Sequence, residues 1–142
     1  MRALLDVNVL IALLDADHVS HGKAMEWFGR EAGNGWASCP ITQNGCVRIM
    51  SHPGYPSPLP VSAIMQRLRV ATETAHHQFW PDAISILDSK VADPTRVHGP
   101  RQLTDVYLLA LAVHYGGRFV TFDAGVSLSA VGGATKKHLV SL

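Results

Sequence analysis

An α/β fold, with a short central parallel sheet flanked by helices on both faces, is the class this sequence predicts. Two observations carry it. Short apolar runs of strand length alternate with segments of helical periodicity, and strands that read as continuously apolar are those buried on both faces of a parallel sheet. The chain has 142 residues, which length alone assigns to one domain spanning 1–142, and no internal repeat or low-complexity tract divides it.

The elements follow in order. Ala3-Leu4-Leu5 reads as a buried strand ending in Asp6, and Val7 to Leu14 as a helix apolar on all sides. His21, Ala24, Met25, Phe28 and Ala32 recur at helical spacing opposite Lys23, Glu26 and Arg30, and Gly33-Asn34-Gly35 ends that helix. Trp36 to Cys39 is a second short strand, followed by a helix through Ile41, Cys46, Val47, Ile49 and Met50. The stretch from His52 to Pro60 is too rich in proline for helix or central strand, and periodicity resumes from Val61 to about Thr74. Phe79 to Leu87 offers a further strand or short helix, and Ala92 to Arg101 a loop. Thr104 is the expected N-cap of a helix from Asp105 to Tyr115, stopped by Gly116-Gly117. Arg118 to Asp123 then reads as a strand ending in an acid, and Lys137 to Leu142 as a last strand.

Composition narrows the function. Lys plus Arg number 12 and Asp plus Glu 11, so a diffuse positive field is excluded and RNA binding would need a local patch or a metal ion. Cys39 and Cys46 match neither a disulfide framework nor a zinc knuckle, and read as free thiols in a reducing compartment. The apolar run after Asp6 is far shorter than the roughly 20 residues of a membrane span. The acidic Asp15-Ala16-Asp17 behind it is unlike a signal-peptide cleavage site, so a soluble cytoplasmic protein is expected.

Chemistry is signalled by three acids. Asp6 and Asp123 each close an apolar strand, and Asp105 opens a helix. Ligands of open α/β sheets bind at the carboxyl ends of the strands, where three carboxylates would repel one another unless a cation held them. Hard oxygen donors select Mg2+ or Mn2+. From the residues alone the alternative stays open, because an acid before a helix is routinely a cap.

The segments LLDVNVLIALL, ITQNGCVRI, LTDVYLLALAVHYGG and FVTFDAG, in that order, resemble the PIN domain, and more narrowly the VapC toxins of bacterial toxin–antitoxin modules. The resemblance covers nearly the whole chain. It implies a PIN fold and a Mg2+-dependent endoribonuclease site of Asp6, Asp105 and Asp123, with Asn8 supporting the first acid. Mn2+ is expected to substitute. It further implies a structured RNA substrate (tRNA or rRNA), a cognate antitoxin protein and a homodimer. The apolar helices at 7–14 and 61–74, with Met25, Trp27 and Met65, are the expected dimer surfaces.

One departure stands out. Many PIN toxins carry a glutamate in the helix after the second strand, where this chain has Thr42-Gln43-Asn44-Gly45, so Asn44 or Gln43 offers only a neutral oxygen. A PIN-like module that binds RNA or a protein without cutting is therefore the alternative function. An aspartyl-phosphate phosphatase would need an acid at position 8, which is Asn8. Arg48, Arg96 and Arg101 are the candidate RNA contacts. His18 and His21 lack a second pair to complete a zinc site, and Trp27, Phe28, Phe79 and Trp80 suit packing better than base stacking.

Overall fold

A computed structural model describes residues 1–142. Five strands, β1 (Ala3–Leu5), β2 (Trp36–Ser38), β3 (His77–Phe79), β4 (Arg118–Thr121) and β5 (Leu139–Ser141), form one sheet in the order β3-β2-β1-β4-β5. All four pairings are parallel. The helices are α1 (Val7–Leu14), α2 (His21–Glu31), α3 (Pro40–Ser51), α4 (Val61–Thr72) and α5 (Leu103–His114).

Side-chain alternation along the strands sorts the core into two layers. Leu4, Ala37 and Phe119 point to the face covered by α5, where Val106, Leu109 and Trp80 join them. Ala3, Leu5, Trp36 and Val120 point the other way, into a cluster with Val9, Leu10, Trp27, Cys46, Ile64 and Leu68 from α1 to α4. The all-round apolar character of α1 is thereby explained, since Val9, Leu10, Ile11 and Ala12 are all buried. Both cysteines are buried free thiols.

Several boundaries differ from the expected ones. The edge strand β3 begins at His77, and residues 80–91 form turns rather than a strand or helix through Leu87. A pleated edge needs only backbone pairing, so the polar His77-Gln78 gave no hydrophobic signal. Thr104 is not an N-cap: a turn of 3-10 helix at Pro100–Gln102 leads directly into α5, which starts at Leu103 and places Asp105 in its first turn. Gly116, at φ +68, ends that helix in a conformation that suits glycine. β4 stops at Thr121, so Asp123 lies in the bend beyond it. Trp27 is buried in the core, which removes it from any dimer surface, whereas Met25 and Met65 are exposed.

Two connections matter for the site. β1 and β2 are neighbours, and each passes straight into a helix at its carboxyl end: Asp6 caps α1 and Cys39 caps α3. The two helices meet at Gly45, where a Cβ would lie 2.7 Å from Val7 Cγ2. Glycine is required there for α3 to approach the residue that follows Asp6. No helix is long and apolar enough to cross a membrane.

Candidate active site

Asp6 has an extended backbone and turns the chain from β1 into α1, its Oδ1 accepting the Val7 N–H at 2.7 Å. Its other oxygen, Oδ2, accepts from the Thr121 hydroxyl at 2.6 Å. Asp105 projects from the first turn of α5, and Asp123 from the bend after β4, the strand beside β1. One carboxylate oxygen from each of the three lies within 4.8 Å of the others. The expected capping role of Asp6 and its place in the cluster are both real; one carboxylate does both.

Such proximity is electrostatically costly. Two unit charges at that separation repel by on the order of 3 kcal/mol in the effective dielectric of a protein surface. The result shows in the acidities. Burial, followed by the charges of Asp6 and Asp123, pushes Asp105 up to about 6. Asp6 is also raised, chiefly by burial, although its hydrogen bonds from Thr121 and Val7 act in the opposite direction. Three hard oxygen donors converging at this spacing, with the ionised forms of Asp6 and Asp105 disfavoured, fit a divalent cation such as Mg2+ or Mn2+.

Thr121 is the functional residue that sequence reasoning missed. Its hydroxyl donates to Asp6 and accepts from Asn8 Nδ2 at 3.3 Å and from the Asp123 N–H at 3.1 Å. One donor and two acceptor sites are all a hydroxyl has, and all are engaged while the residue is fully buried. The only cue in the sequence was a polar residue inside the apolar run Phe119-Val120-Thr121-Phe122. Asn8 sits one step from the acid: it reaches Asp6 through Thr121, and its Oδ1 accepts the Phe122 N–H at 3.3 Å. Together these bonds fasten the exit of β4 to the first turn of α1.

The remaining candidates are placed elsewhere. Gln43 donates to the buried Ser38 hydroxyl at 2.9 Å, and Gln43, Asn44 and Arg48 line a groove between α3 and α4 whose walls include none of the three acids. Arg96 is paired with Asp93 at 3.3 Å. Arg101 is exposed in the turn that precedes α5.

The family model for the PIN domain matches residues 3–133. Among curated proteins, the chain is 59% identical over 142 residues to "Ribonuclease VapC44" of Mycobacterium tuberculosis, covering 100% of both chains. It is 47% identical over 135 residues to "Ribonuclease VapC39" of the same organism, covering 94% of this chain and 96% of that one. "Ribonuclease VapC38", again from Mycobacterium tuberculosis, is 42% identical over 125 residues, covering 87% and 86%. With a parallel α/β sheet whose carboxyl edge gathers three acids, and with these matches along its length, the chain belongs to the PIN-domain family and is of the VapC type.

Proposed function

We propose that this protein is the toxin of a type II toxin–antitoxin module, acting as a Mg2+-dependent endoribonuclease on structured RNA such as tRNA or rRNA. The observation that carries the reading is the convergence of Asp6, Asp105 and Asp123 within 4.8 Å in a chain 59% identical to a named ribonuclease. Those three carboxylates would hold the ion. When bound, a divalent ion polarises the scissile phosphate and acidifies the attacking water.

The chain's own residues prepare that site. Thr121 and the Val7 N–H fix both oxygens of Asp6, so its rotamer is set before any ligand arrives. Asp105 rides on a helix whose inner face is packed into the core, and Asp123 is tied to Thr121 through its backbone. Positions set this firmly suit in-line hydrolysis, which depends on orientation and leaves a 5′-phosphate and a 3′-hydroxyl.

A cognate antitoxin and a homodimer belong to the same reading. An apolar cleft of about 330 Å3 lined by Leu13, Leu14, Met25, Phe28 and Ala71 supports a protein contact on the side of α1, α2 and α4.

Cleavage of total RNA by the purified protein tests the proposal. RNA should be cut with Mg2+ or Mn2+ present, spared in EDTA, and spared by the folded Asp105→Asn variant. Expression of the chain alone should slow growth, and Asp6→Asn should abolish that effect. Metal-independent cleavage, or full activity of either variant, would show that the carboxylates are not the machinery.

A further inference from the structure

The groove between α3 and α4, of about 590 Å3, is not used by the carboxylate site. Arg48 and Arg69 supply its only charges, since no Asp or Glu lines it. Neither guanidinium is in an ion pair; the chain's salt bridges involve Arg30, Arg96 and Arg118. Arg69 is instead steadied by a neutral partner, donating from Nη1 to Gln66 Oε1 at 2.8 Å, which leaves its charge uncompensated. The carboxamides of Gln43 and Asn44 and the hydroxyls of Ser51 and Thr72 add neutral polar groups, and Val47, Met65 and Leu68 an apolar surface.

Position in the fold ties this groove to the acids. α3 leaves β2 at the same edge of the sheet where Asp6 ends β1, and Gly45 packs against Val7, the residue after Asp6. Asn44 is the neighbour of Gly45 in the chain, so the helix that presses on the residue after Asp6 also supplies one wall of the groove. Arg48 follows Asn44 by one helical turn and carries the same wall away from it.

We infer that this groove is the RNA-binding subsite of the enzyme, in which Arg48 and Arg69 hold backbone phosphates of the strand flanking the scissile bond. The inference rests on the ribonuclease reading for its substrate. An acid-free lining with two unpaired guanidiniums is complementary to a polyanion, and guanidinium is the side chain best shaped to grip phosphate oxygens in pairs. The apolar part of the lining suits ribose and base faces. Phosphate contacts carry no sequence information of their own, so these two arginines supply affinity and register rather than choice of sequence.

The test is the salt dependence of binding, which counts the phosphates held independently of catalysis. A short fluorescein-labelled single-stranded RNA is titrated in EDTA with wild type, Arg48→Ala, Arg69→Ala and the double variant, with Arg48→Lys as the charge-preserving control. The logarithmic salt slope should shrink by about 0.7 for each phosphate that is no longer held, and Arg48→Lys should keep the wild-type slope. In the Mg2+ cleavage assay the alanine variants should raise KM with kcat little changed. Equal slopes in wild type and double variant overturn the inference. So does unchanged RNA binding accompanied by loss of self-association, which would make the groove a protein interface. Slopes that shrink in the alanine variants, alongside a wild type that cuts no RNA, would support the subsite while sinking the ribonuclease reading.

Discussion

The Thr121 hydroxyl donates to Asp6 Oδ2 at 2.6 Å across 115 residues of chain, and joins the two strands from whose ends Asp6 and Asp123 project. Thr121→Val keeps the shape and removes the donor, leaving an Asp6 oxygen, Asn8 and the Asp123 N–H each short of a partner. Outer partners of metal-binding carboxylates are worth about 10–100-fold in metal affinity, and a buried group left unpaired costs about 1–3 kcal/mol of stability. Mn2+ affinity of Thr121→Val, measured by calorimetry, should fall within that range while Thr121→Ser stays near wild type. Unaltered Mn2+ binding in the valine variant would mean that Thr121 only packs.

The raised pKa values of Asp105 and Asp6 make the metal-free protein less stable as pH rises. An acid whose folded pKa lies above its ordinary value holds its proton longer when folded, so stability is fullest below the ordinary 3.8 and declines until about 6 for Asp105. The shift, discounted for solvent screening of a half-buried group, amounts to on the order of 1–2 kcal/mol. Between pH 4.5 and 7 in EDTA, Tm should drop by a few degrees more in wild type than in Asp105→Asn. Excess Mg2+ at pH 7 should restore it. A variant that tracks the wild type throughout would place the strain elsewhere.

A methyl group at position 45 should act on the site from a distance. Gly45→Ala gains about 1 kcal/mol of helix propensity but meets Val7 Cγ2 at 2.7 Å, and overpacking of that kind costs about 1–3 kcal/mol. Urea denaturation should therefore show a net loss of roughly 1 kcal/mol. Val7→Ala in the same chain should recover it, as a non-additive pair. Simple additivity would show that α3 and α1 do not press on each other here.

Three carboxylates without a fourth acid set the metal stoichiometry. One divalent ion reduces the site from −3 to −1, and a second would leave it positive unless RNA phosphate contributed. Calorimetry with Mn2+ should find one site in the free protein. Two tight sites would require a further charged ligand.

The sheet and the acids were legible because burial on both faces leaves an unbroken apolar run, and an acid at the end of such a run is conspicuous. Asp6, Asp105 and Asp123 are brought together as the strand ends and the helix start implied. Thr121 was hidden, because its significance lies in partners from α1 and the bend after β4 rather than in its neighbours. The same holds for Gln43, Asn44 and Arg48: the sequence put them on the helix after β2, but only α4, packed alongside, shows that they form a groove wall. The strand or short helix expected from Phe79 to Leu87 failed for a different reason. Ile84 and Ile86 pack on the core from turns, and apolar spacing alone cannot separate that from a strand.

The order in which the chain is made bears on the cell that makes it. β4 pairs with β1 in the middle of the sheet, so the carboxylate cluster draws on residues more than a hundred positions apart. A ribosome still translating the region before Thr121 holds a nascent chain with Asp6 uncoupled from its hydroxyl partner and Asp123 not yet made. The carboxylate cluster is thus assembled only after residue 123 has been added. Fragments that stop short of β4 lack both the Thr121 hydroxyl and the third carboxylate.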